Sequence, residues 1–405
     1  MTIPDLGNPD TYLNGFPHEV FARLRRDDPV AWCPEPASAD FGGGPGFWVV
    51  TRHADVTTAG RLPDVFSSHV GATVVRDVSP RDLRVQQLMM LNIDPPEHSA
   101  MRRIVSKAFT PRIVQQLQDS FVRHAHDVVD ALGDGGEMDL VPAVSAEMPL
   151  LVLADILGIP RSERHLLFDW TNRMVGFDDP QAVDRTSYIT AFGELFAYAR
   201  ELTRHKRAKP TGDVWSLVVN AEIDGERLSD DELDRFFQLL VIAGNETTRN
   251  LLTGTILTLA QHPDQWLLLR RQPELLPQAI EEVLRFHSPV MQFRRTAVAD
   301  FELGGSKIRA GDKVVLCYAS ANRDENVFPD PQRFDITRTD NPHLAFGSGP
   351  HFCLGNSVAR LEARVLLKIL FERFPRIEVT GPPVRLRSNF INGISELPVR
   401  MSAAP

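Results

Sequence analysis

The chain has 405 residues, of which 43% are hydrophobic and 24% charged, and its net charge of −9 excludes the basic balance typical of nucleic-acid-binding proteins. Its three cysteines are too few and too scattered for a disulfide framework, which fits a reducing compartment. No signal peptide and no apolar run of about 18 residues is recognised, so the sequence predicts a cytoplasmic protein without a membrane span.

The first 70 residues predict short helices and a strand. The segment HEVFARLRRDD, from His18, has the spacing of an amphipathic helix that ends before Pro29. The segment FWVVTRHADV predicts a strand followed by a helix, whereas Cys33 falls in a polar segment that predicts a loop. From about residue 80 to about 290 the periodicity is mainly helical, and Thr110-Pro111 marks the start of one helix.

The longest predicted helix begins at the capping-box pattern SDDE, residues 229–232, and runs to about residue 260, before a proline. Its middle, AGNETT, contains Gly244, which costs about 1 kcal/mol in a helix interior relative to alanine. Threonine hydroxyls can bond a carbonyl one turn back and bend the helix. The pattern indicates either a plain kink with an exposed acid, or a widening where Glu246 and Thr247 pass protons to a small ligand.

After about residue 290 strands return. The segment FELGGSKIRAGDKVVLCY predicts two strands with a turn at Gly304-Gly305 and with Cys317 in a strand. A helix is predicted at about 355–373, and the tail predicts a hairpin. The fold class is therefore mainly α with small β-sheets near both ends; the helices do not alternate with strands, so a doubly wound fold is excluded.

Cys353 lies in the densest motif, FGSGPHFCLG, residues 346–355, which is followed by a predicted helix. Glycines let the backbone turn tightly and approach a flat ligand. The helix start is expected to lower the pKa of the thiol and to favour the thiolate, a metal ligand. An inert buried thiol is the alternative. Without a second cysteine nearby, zinc and iron–sulfur sites fit poorly, and one thiolate with an open coordination position suits haem.

This loop resembles the haem-binding loop of the cytochrome P-450 superfamily, F-G-x-G-x-H-x-C-x-G, at every fixed position. The AGNETT segment resembles the family's oxygen-binding motif, and Glu282 and Arg285 match its E-x-x-R pair. The resemblance covers nearly the whole chain in the family's order. It implies one domain, residues 1–405, with a triangular helical body, a long central helix, and haem between that helix and the cysteine loop.

The resemblance also assigns roles to individual residues. Cys353 is the expected metal ligand of haem b (iron protoporphyrin IX), and its thiolate favours O–O cleavage. Glu246 and Thr247 are the expected catalytic residues, which deliver protons. Glu282 and Arg285 are the structural pair. The expected haem contacts are His98, Arg102, Gly244, Arg295, Phe346, His351 and Gly355.

Other charged residues receive weaker assignments. Arg333 fits the third partner of the E-x-x-R pair, and Arg294 is expected to be a solvated surface charge. Because no flavin, nicotinamide or iron–sulfur fingerprint is found, a separate ferredoxin and its reductase are the expected electron donors. Basic residues on the cysteine side are candidates for steering the ferredoxin. They are Arg103, Lys107, Arg112 and Arg360.

The segments FWVVTRHADV, AGNETTRN, SANRDE and SNFINGISELPV resemble a bacterial subgroup that hydroxylates steroid side chains and methyl-branched or terpenoid lipids. A monomeric monooxygenase that uses dioxygen on such a substrate is therefore expected. The alternatives are a tailoring hydroxylase of secondary metabolites, a peroxygenase and a haem sensor. The family topology predicts an apolar, methionine-rich pocket. Its expected lining residues are Val74, Met89, Met90, Met174, Phe177, Ile242, Ala243, Val290, Met291, Phe293, Phe390 and Ile391.

Overall fold

A computed structural model of the chain describes residues 3–38, 42–175 and 185–403. The helices, in chain order, are α1 (His18–Asp27), α2 (His53–Arg61), α3 (Pro80–Gln86), α4 (Glu97–Ser106), α5 (Pro111–Gln116), α6 (Gln118–Asp130), α7 (Glu147–Leu157), α8 (Arg164–Val175), α9 (Arg185–Ala208), α10 (Val214–Val219), α11 (Asp230–Gln261), α12 (Pro263–Arg271), α13 (Leu276–His287), α14 (Tyr318–Ala321) and α15 (Asn356–Arg373). The strands are β1 (Val30–Cys33), β2 (Phe47–Val50), β3 (Phe66–Ser67), β4 (Gly135–Asp139), β5 (Gln292–Ala297), β6 (Phe301–Leu303), β7 (Ser306–Ile308), β8 (Lys313–Cys317), β9 (Arg376–Val379), β10 (Val384–Arg385), β11 (Ile394–Glu396) and β12 (Pro398–Ser402).

The 32-residue helix α11 is the axis of the helical body. Its first turn has the predicted capping box: the Ser229 hydroxyl accepts from the Glu232 N–H at 3.3 Å, and the Glu232 carboxylate accepts from the Ser229 N–H at 2.7 Å. The helix ends at Gln261, immediately before His262 and Pro263, as predicted. Helices α7, α8, α9, α13 and α15 all pack against α11 and bury most of its length.

The largest sheet has five strands in the order β1-β2-β8-β5-β3, with β2 parallel to β8. Strands from the first 70 residues therefore pair with strands after residue 290 in one sheet, where the sequence predicts separate small sheets. Cys33 is the last residue of β1 and is fully buried, so the predicted loop there is wrong. Burial raises the pKa of the Cys33 thiol to about 12.

A second sheet has three strands in the order β4-β12-β9. Strand β4 lies inside the region predicted to be helical, and its sequence, GGEMD, has no alternation of apolar residues that would indicate a strand. It is formed by pairing with β12 near the other end of the chain, with Met138 opposite Val399. The predicted turn at Gly304-Gly305 is present, but it joins β6 to the short strand β7, whereas the predicted second strand, VVLCY, is β8 and belongs to the five-stranded sheet. The predicted hairpin in the tail is present as β10–β11. Across the described ranges, no helix combines the length and apolar character needed to cross a bilayer.

Candidate active site

The glycine-rich cysteine loop is a closed turn that leads into α15. The Cys353 N–H donates to the Phe346 carbonyl oxygen at 2.9 Å, which closes the loop behind the thiol. Gly349 has a φ of 70°, in the left-handed region that favours glycine. A Cβ at this position would lie 2.1 Å from the Gly60 carbonyl oxygen, so glycine is also needed for the loop to rest against α2. The loop is thus held in place by contacts that any larger side chain would break.

The thiol of Cys353 is subject to opposing effects. Burial raises its pKa above the ordinary value, whereas the N–H groups of Gly355 and Asn356 and the charges of Arg102 and Arg360 lower it. The predicted contribution of the α15 start is therefore present, but burial outweighs it, and the expected net lowering is wrong for the chain alone. A metal cation bound at this position would stabilise the thiolate.

Four basic side chains from three separate segments converge near this loop: His98 and Arg102 on α4, Arg295 on β5, and His351. The rings of His98 and His351 lie 4.1 Å apart between centroids. Burial, followed by the charges of the neighbouring arginines, lowers the pKa of His98 to about 4 and that of His351 to about 2. Both histidines are therefore neutral near pH 7, and the positive potential of the site comes from Arg102 and Arg295.

This basic cluster fits the carboxylates of haem b. Within the described ranges, Arg102 and Arg295 form no ion pair with a carboxylate: Arg102 donates to the Phe352 carbonyl oxygen, and Arg295, which is only 3% exposed, donates to the Arg294 carbonyl oxygen at 2.8 Å. The Asp94 carboxylate raises the pKa of His98, but it accepts hydrogen bonds from the Ser67 hydroxyl and the Ser68 N–H. Buried cations without a counter-ion are costly, so an anionic ligand suits this cluster.

The middle of α11 exposes a short stretch of its surface. Ala243 and Gly244 are exposed there, although the helix around them is largely buried. The Thr247 hydroxyl donates to the Ala243 carbonyl oxygen at 2.7 Å, one turn back, and the helix continues without a break from Asp230 to Gln261. A flat ligand can therefore lie directly against the α11 backbone at this point, beside the Thr247 side chain.

Glu246 is buried, not exposed as the plain-kink alternative requires; it is 3% exposed. Its carboxylate is ion-paired with Arg249, and the Asn250 amide donates to the other carboxylate oxygen at 2.8 Å. No hydrogen bond joins Glu246 to Thr247 in this described part of α11. The two residues expected to act together thus have separate partners on separate faces of the helix.

Glu282 and Arg285 form a fully buried pair, with N–O distances of 2.8 and 2.7 Å. Arg285 also donates to the backbone carbonyl oxygens of Asn322 and Pro331 at 2.9 Å and to that of Arg333 at 3.0 Å. Bidentate geometry combined with satisfied donors is what makes a buried ion pair tolerable. The pair therefore fastens α13 to the segment that precedes the cysteine loop.

The third charged partner of this pair is Arg338, and the expectation of Arg333 is wrong. The Arg338 guanidinium lies 3.3 Å from the Glu282 carboxylate and its side chain is 10% exposed. The Arg333 side chain is 64% exposed and faces Asp335 at 3.6 Å, so only its backbone contributes. Both arginines lie in the same short segment, and spacing alone does not distinguish them.

Sequence reasoning missed Glu281, which binds Arg360 and His343, one on each side of the cysteine loop. Arg360 on α15 donates to both of its carboxylate oxygens at 2.6 and 2.8 Å, and His343 contacts it at 3.0 Å. The Arg360 guanidinium also lies over the Phe346 ring at 4.4 Å from the centroid. The available signal was its position: Glu281 directly precedes Glu282, the acid of the E-x-x-R pair.

Several predicted pocket residues are brought together near β5. Val290 and Ile391 form an isolated β-bridge, and the Met291 N–H donates to the Phe390 carbonyl oxygen at 2.9 Å. The rings of Phe293 and Phe390 lie 5.1 Å apart between centroids. These contacts form one apolar surface from two segments that are about a hundred residues apart in the chain.

The other predicted pocket residues are dispersed. Met89 reaches α11, where its sulfur accepts from the Gln238 amide at 3.6 Å. Val74 and Ile242 are half-buried, whereas Phe177 lies outside the described residues. Two of these dispersed candidates, and two of the residues brought together near β5, are buried in hydrophobic clusters or at a bridge and are 5% exposed or less, which is typical of core residues. They are Met90, Met174, Met291 and Ile391.

Most of the basic residues assigned to ferredoxin steering have partners. Arg103 faces Asp224 at 3.2 Å, with both side chains more than half exposed, and Lys107 donates to a backbone carbonyl oxygen at 3.1 Å. Arg112 is exposed. Arg294 is not the expected solvated charge: its side chain is 5% exposed and is paired with Asp77 at 2.7 Å.

Known proteins similar to this chain are cytochromes P450 and monooxygenases. Residues 268–396 match the family model described as Cytochrome P450. A steroid C26-monooxygenase of Rhodococcus jostii is 38% identical over 99% of this chain and 85% of its own length. A linalool 8-monooxygenase of Pseudomonas putida is 41% identical over 98% of this chain and 99% of its own length. The solved structure of a Mycobacterium marinum cytochrome P450 in complex with pseudoionone has a TM-score of 0.87, with 39% identity over 94% of both chains.

Proposed function

Because this chain belongs to the cytochrome P450 family and is a monooxygenase with haem b as its cofactor, we propose that it hydroxylates a sterol-like or isoprenoid lipid near a chain terminus. Cys353 would hold the iron, and the basic cluster of His98, Arg102, Arg295 and His351 would hold the carboxylates. Bound in this way, haem b supplies the activation of dioxygen.

The substrate class is supported by the pocket and by the relatives. The apolar surface made by Val290, Phe293 and Phe390, together with Ala243 on α11, offers contacts for hydrocarbon and few hydrogen bonds. The relatives are named for a steroid and for linalool, and the solved structure holds pseudoionone. These ligands share a branched or fused hydrocarbon skeleton with at most a few polar atoms, and this shared chemistry carries the proposal.

The proposal is tested by a spectral screen of the purified ferric protein. Linalool, a sterol and a methyl-branched fatty acid are titrated, with glucose as a polar control, and the change in iron spin state is followed. We expect at least one lipid to shift the spin state and glucose to leave it unchanged. Failure of every sterol, terpenoid and branched fatty acid would exclude this substrate class.

Within the proposed mechanism, Thr247 handles a proton at its Oγ1 atom. The hydroxyl hydrogen is held by the Ala243 carbonyl, which leaves the oxygen lone pairs directed to accept a further hydrogen bond beside the exposed α11 backbone. Glu246 is the adjacent acid in the sequence, and we propose that it exchanges its proton when its ion pair with Arg249 opens. In this proposal the two residues act one after the other: Glu246 exchanges a proton, and Thr247 handles a proton at its hydroxyl.

Replacing Thr247 with alanine is expected to divert reducing equivalents from product to peroxide, because the proton-handling hydroxyl is lost. The yield of hydroxylated product per NADPH should fall at least about tenfold. It is measured with a surrogate ferredoxin and reductase, together with the peroxide released. Thr255→Ala is the matched control, since Thr255 makes the same bond to a carbonyl one turn back at 2.7 Å. Equal coupling in the two variants would argue against the role of Thr247.

We also propose a separate ferredoxin as the electron donor. The exposed residue Arg103 lies on α4, which carries two members of the basic cluster, and Lys107 and the exposed Arg112 follow that helix. Such a positive patch suits an acidic partner. Arg360 is a weaker candidate than expected, because its guanidinium is already held by Glu281 and Phe346.

A further inference from the structure

The segment of residues 68–79 joins β3 to α3 without forming a helix or a strand. It carries Val74, one of the predicted pocket residues, and four of its side chains are buried: Ser68, Ala72, Thr73 and Val75. We call this segment the pocket loop. A loop of this length with buried side chains requires specific fastening, because little regular backbone hydrogen bonding supports it.

Arg294 on β5 fastens the middle of the pocket loop. Its N–H donates to the Thr73 carbonyl oxygen at 2.9 Å, and its guanidinium donates to the Val75 carbonyl oxygen at 3.3 Å. A Cβ at Gly71 would lie 2.2 Å from the Arg294 Nη2 atom, so a larger residue there would displace the guanidinium from its present position. Arg294 thus holds the loop through its backbone N–H at Thr73 and through its guanidinium at Val75, and the guanidinium also lies close to Gly71.

Asp77 closes the other end of the pocket loop by bridging two cations. Its carboxylate lies 2.7 Å from the Arg294 guanidinium and 2.7 Å from the Lys313 ammonium. Lys313 is also paired with Glu35 at 2.7 Å. The side chains of Glu35, Lys313 and Arg294 are 2%, 3% and 5% exposed, whereas that of Asp77 is 54% exposed. Asp77 is therefore the one member of this network that can detach into water while the other three stay paired or bonded.

The closed loop also contains a strained residue. Ala72 has a φ of 58°, a left-handed conformation that costs free energy for a residue with a Cβ, and its side chain is fully buried. Such a conformation persists only when the surrounding contacts over-determine it. Releasing the Asp77 contacts would let this strain relax, which favours opening of the loop.

We infer that Asp77 is a positioning residue for substrate exchange: its two ion pairs hold the pocket loop closed against β5 and β8. The inference rests on the proposed function, because it takes the pocket loop as a wall of the substrate site. Weakening these pairs should speed both the entry and the exit of a ligand without moving the ligand's contacts in the closed state.

The test compares Asp77→Asn with the wild-type holoenzyme in stopped-flow binding of 4-phenylimidazole to the ferric protein. Both the association and the dissociation rate constants should rise about fivefold, while the dissociation constant changes much less. Amides in residues 71–79 should exchange hydrogen faster. Because Asp77 is half exposed, added salt should bring the wild-type rates toward those of the variant.

Asp127→Asn is the matched control. Asp127 lies on α6, away from the pocket loop; its side chain is 52% exposed and is paired with Arg161 at 2.6 Å. It should leave both rate constants unchanged, and Asp77→Glu should restore slow exchange. Unchanged rates in Asp77→Asn, or equal acceleration in Asp127→Asn, would overturn the inference. Neither result bears on the proposed function, which fails instead if no lipid shifts the ferric spin state.

Discussion

Replacing Cys353 with alanine should abolish the red-shifted Soret band that the reduced carbon monoxide complex of a haem-thiolate protein shows. The band requires a thiolate on the iron, and alanine removes the sulfur while the loop can still close through the backbone bond to Phe346. The measurement is the difference spectrum of the reduced protein with and without carbon monoxide. Haem content is determined separately, so that loss of the cofactor is distinguished from loss of the thiolate.

The other two cysteines provide the controls. Cys33 and Cys317 are fully buried in β1 and β8, and burial raises the pKa of each thiol to about 12. Neither thiol can replace Cys353 as a ligand, so Cys33→Ala and Cys317→Ala should retain the band. A band that survives in Cys353→Ala would show that another residue holds the iron.

Replacing Glu282 with glutamine should be the most destabilising conservative change in the chain. The Glu282 carboxylate is fully buried and faces two cations, Arg285 and Arg338, and it also accepts from the Asp335 N–H at 2.9 Å. Removing one member of a buried ion pair leaves uncompensated charge, which costs about 3–5 kcal/mol. Urea unfolding of the holoprotein, followed by circular dichroism and by haem absorbance, measures this loss.

Glu378→Gln is the control for this change. Glu378 is paired with Arg376 at 2.6 Å, but both side chains are more than a third exposed. Exposed pairs contribute about 0–1 kcal/mol, so the unfolding midpoint should barely move. If the two variants unfold at the same urea concentration, Glu282 does not have the structural role that its contacts indicate.

Sequence reasoning could predict the features that depend only on residues a few positions apart in the chain. The capping box at Ser229, the Glu282–Arg285 pair and the turn at Gly304-Gly305 all form as expected, because each depends on neighbours in one turn of helix or one hairpin. The motifs that carry the family resemblance are equally local. In each of these features, the interacting residues are close together in the sequence.

Features that join distant segments were missed or mistaken. Glu281 and Arg360 are 79 residues apart, and Asp77 and Arg294 are 217 residues apart. Nothing in the sequence around Arg294 indicates a carboxylate partner, so a solvated charge was the reasonable expectation. Whether Arg338 or Arg333 pairs with Glu282 depends in the same way on how the segment after α14 packs against α13. Such pairs are decided by packing, which single-sequence patterns do not record.

The five-stranded sheet also has a consequence for how the chain is made. Strand β2 pairs on one side with β1 and on the other with β8, so that Trp48 lies opposite Val314. During synthesis at about 5–20 residues per second, the β1–β2 hairpin waits at least about ten seconds for β8 to emerge. Its open edge is a template for mispairing throughout that interval. Nascent chains stalled before residue 313 should therefore depend on chaperones more than full-length chains do.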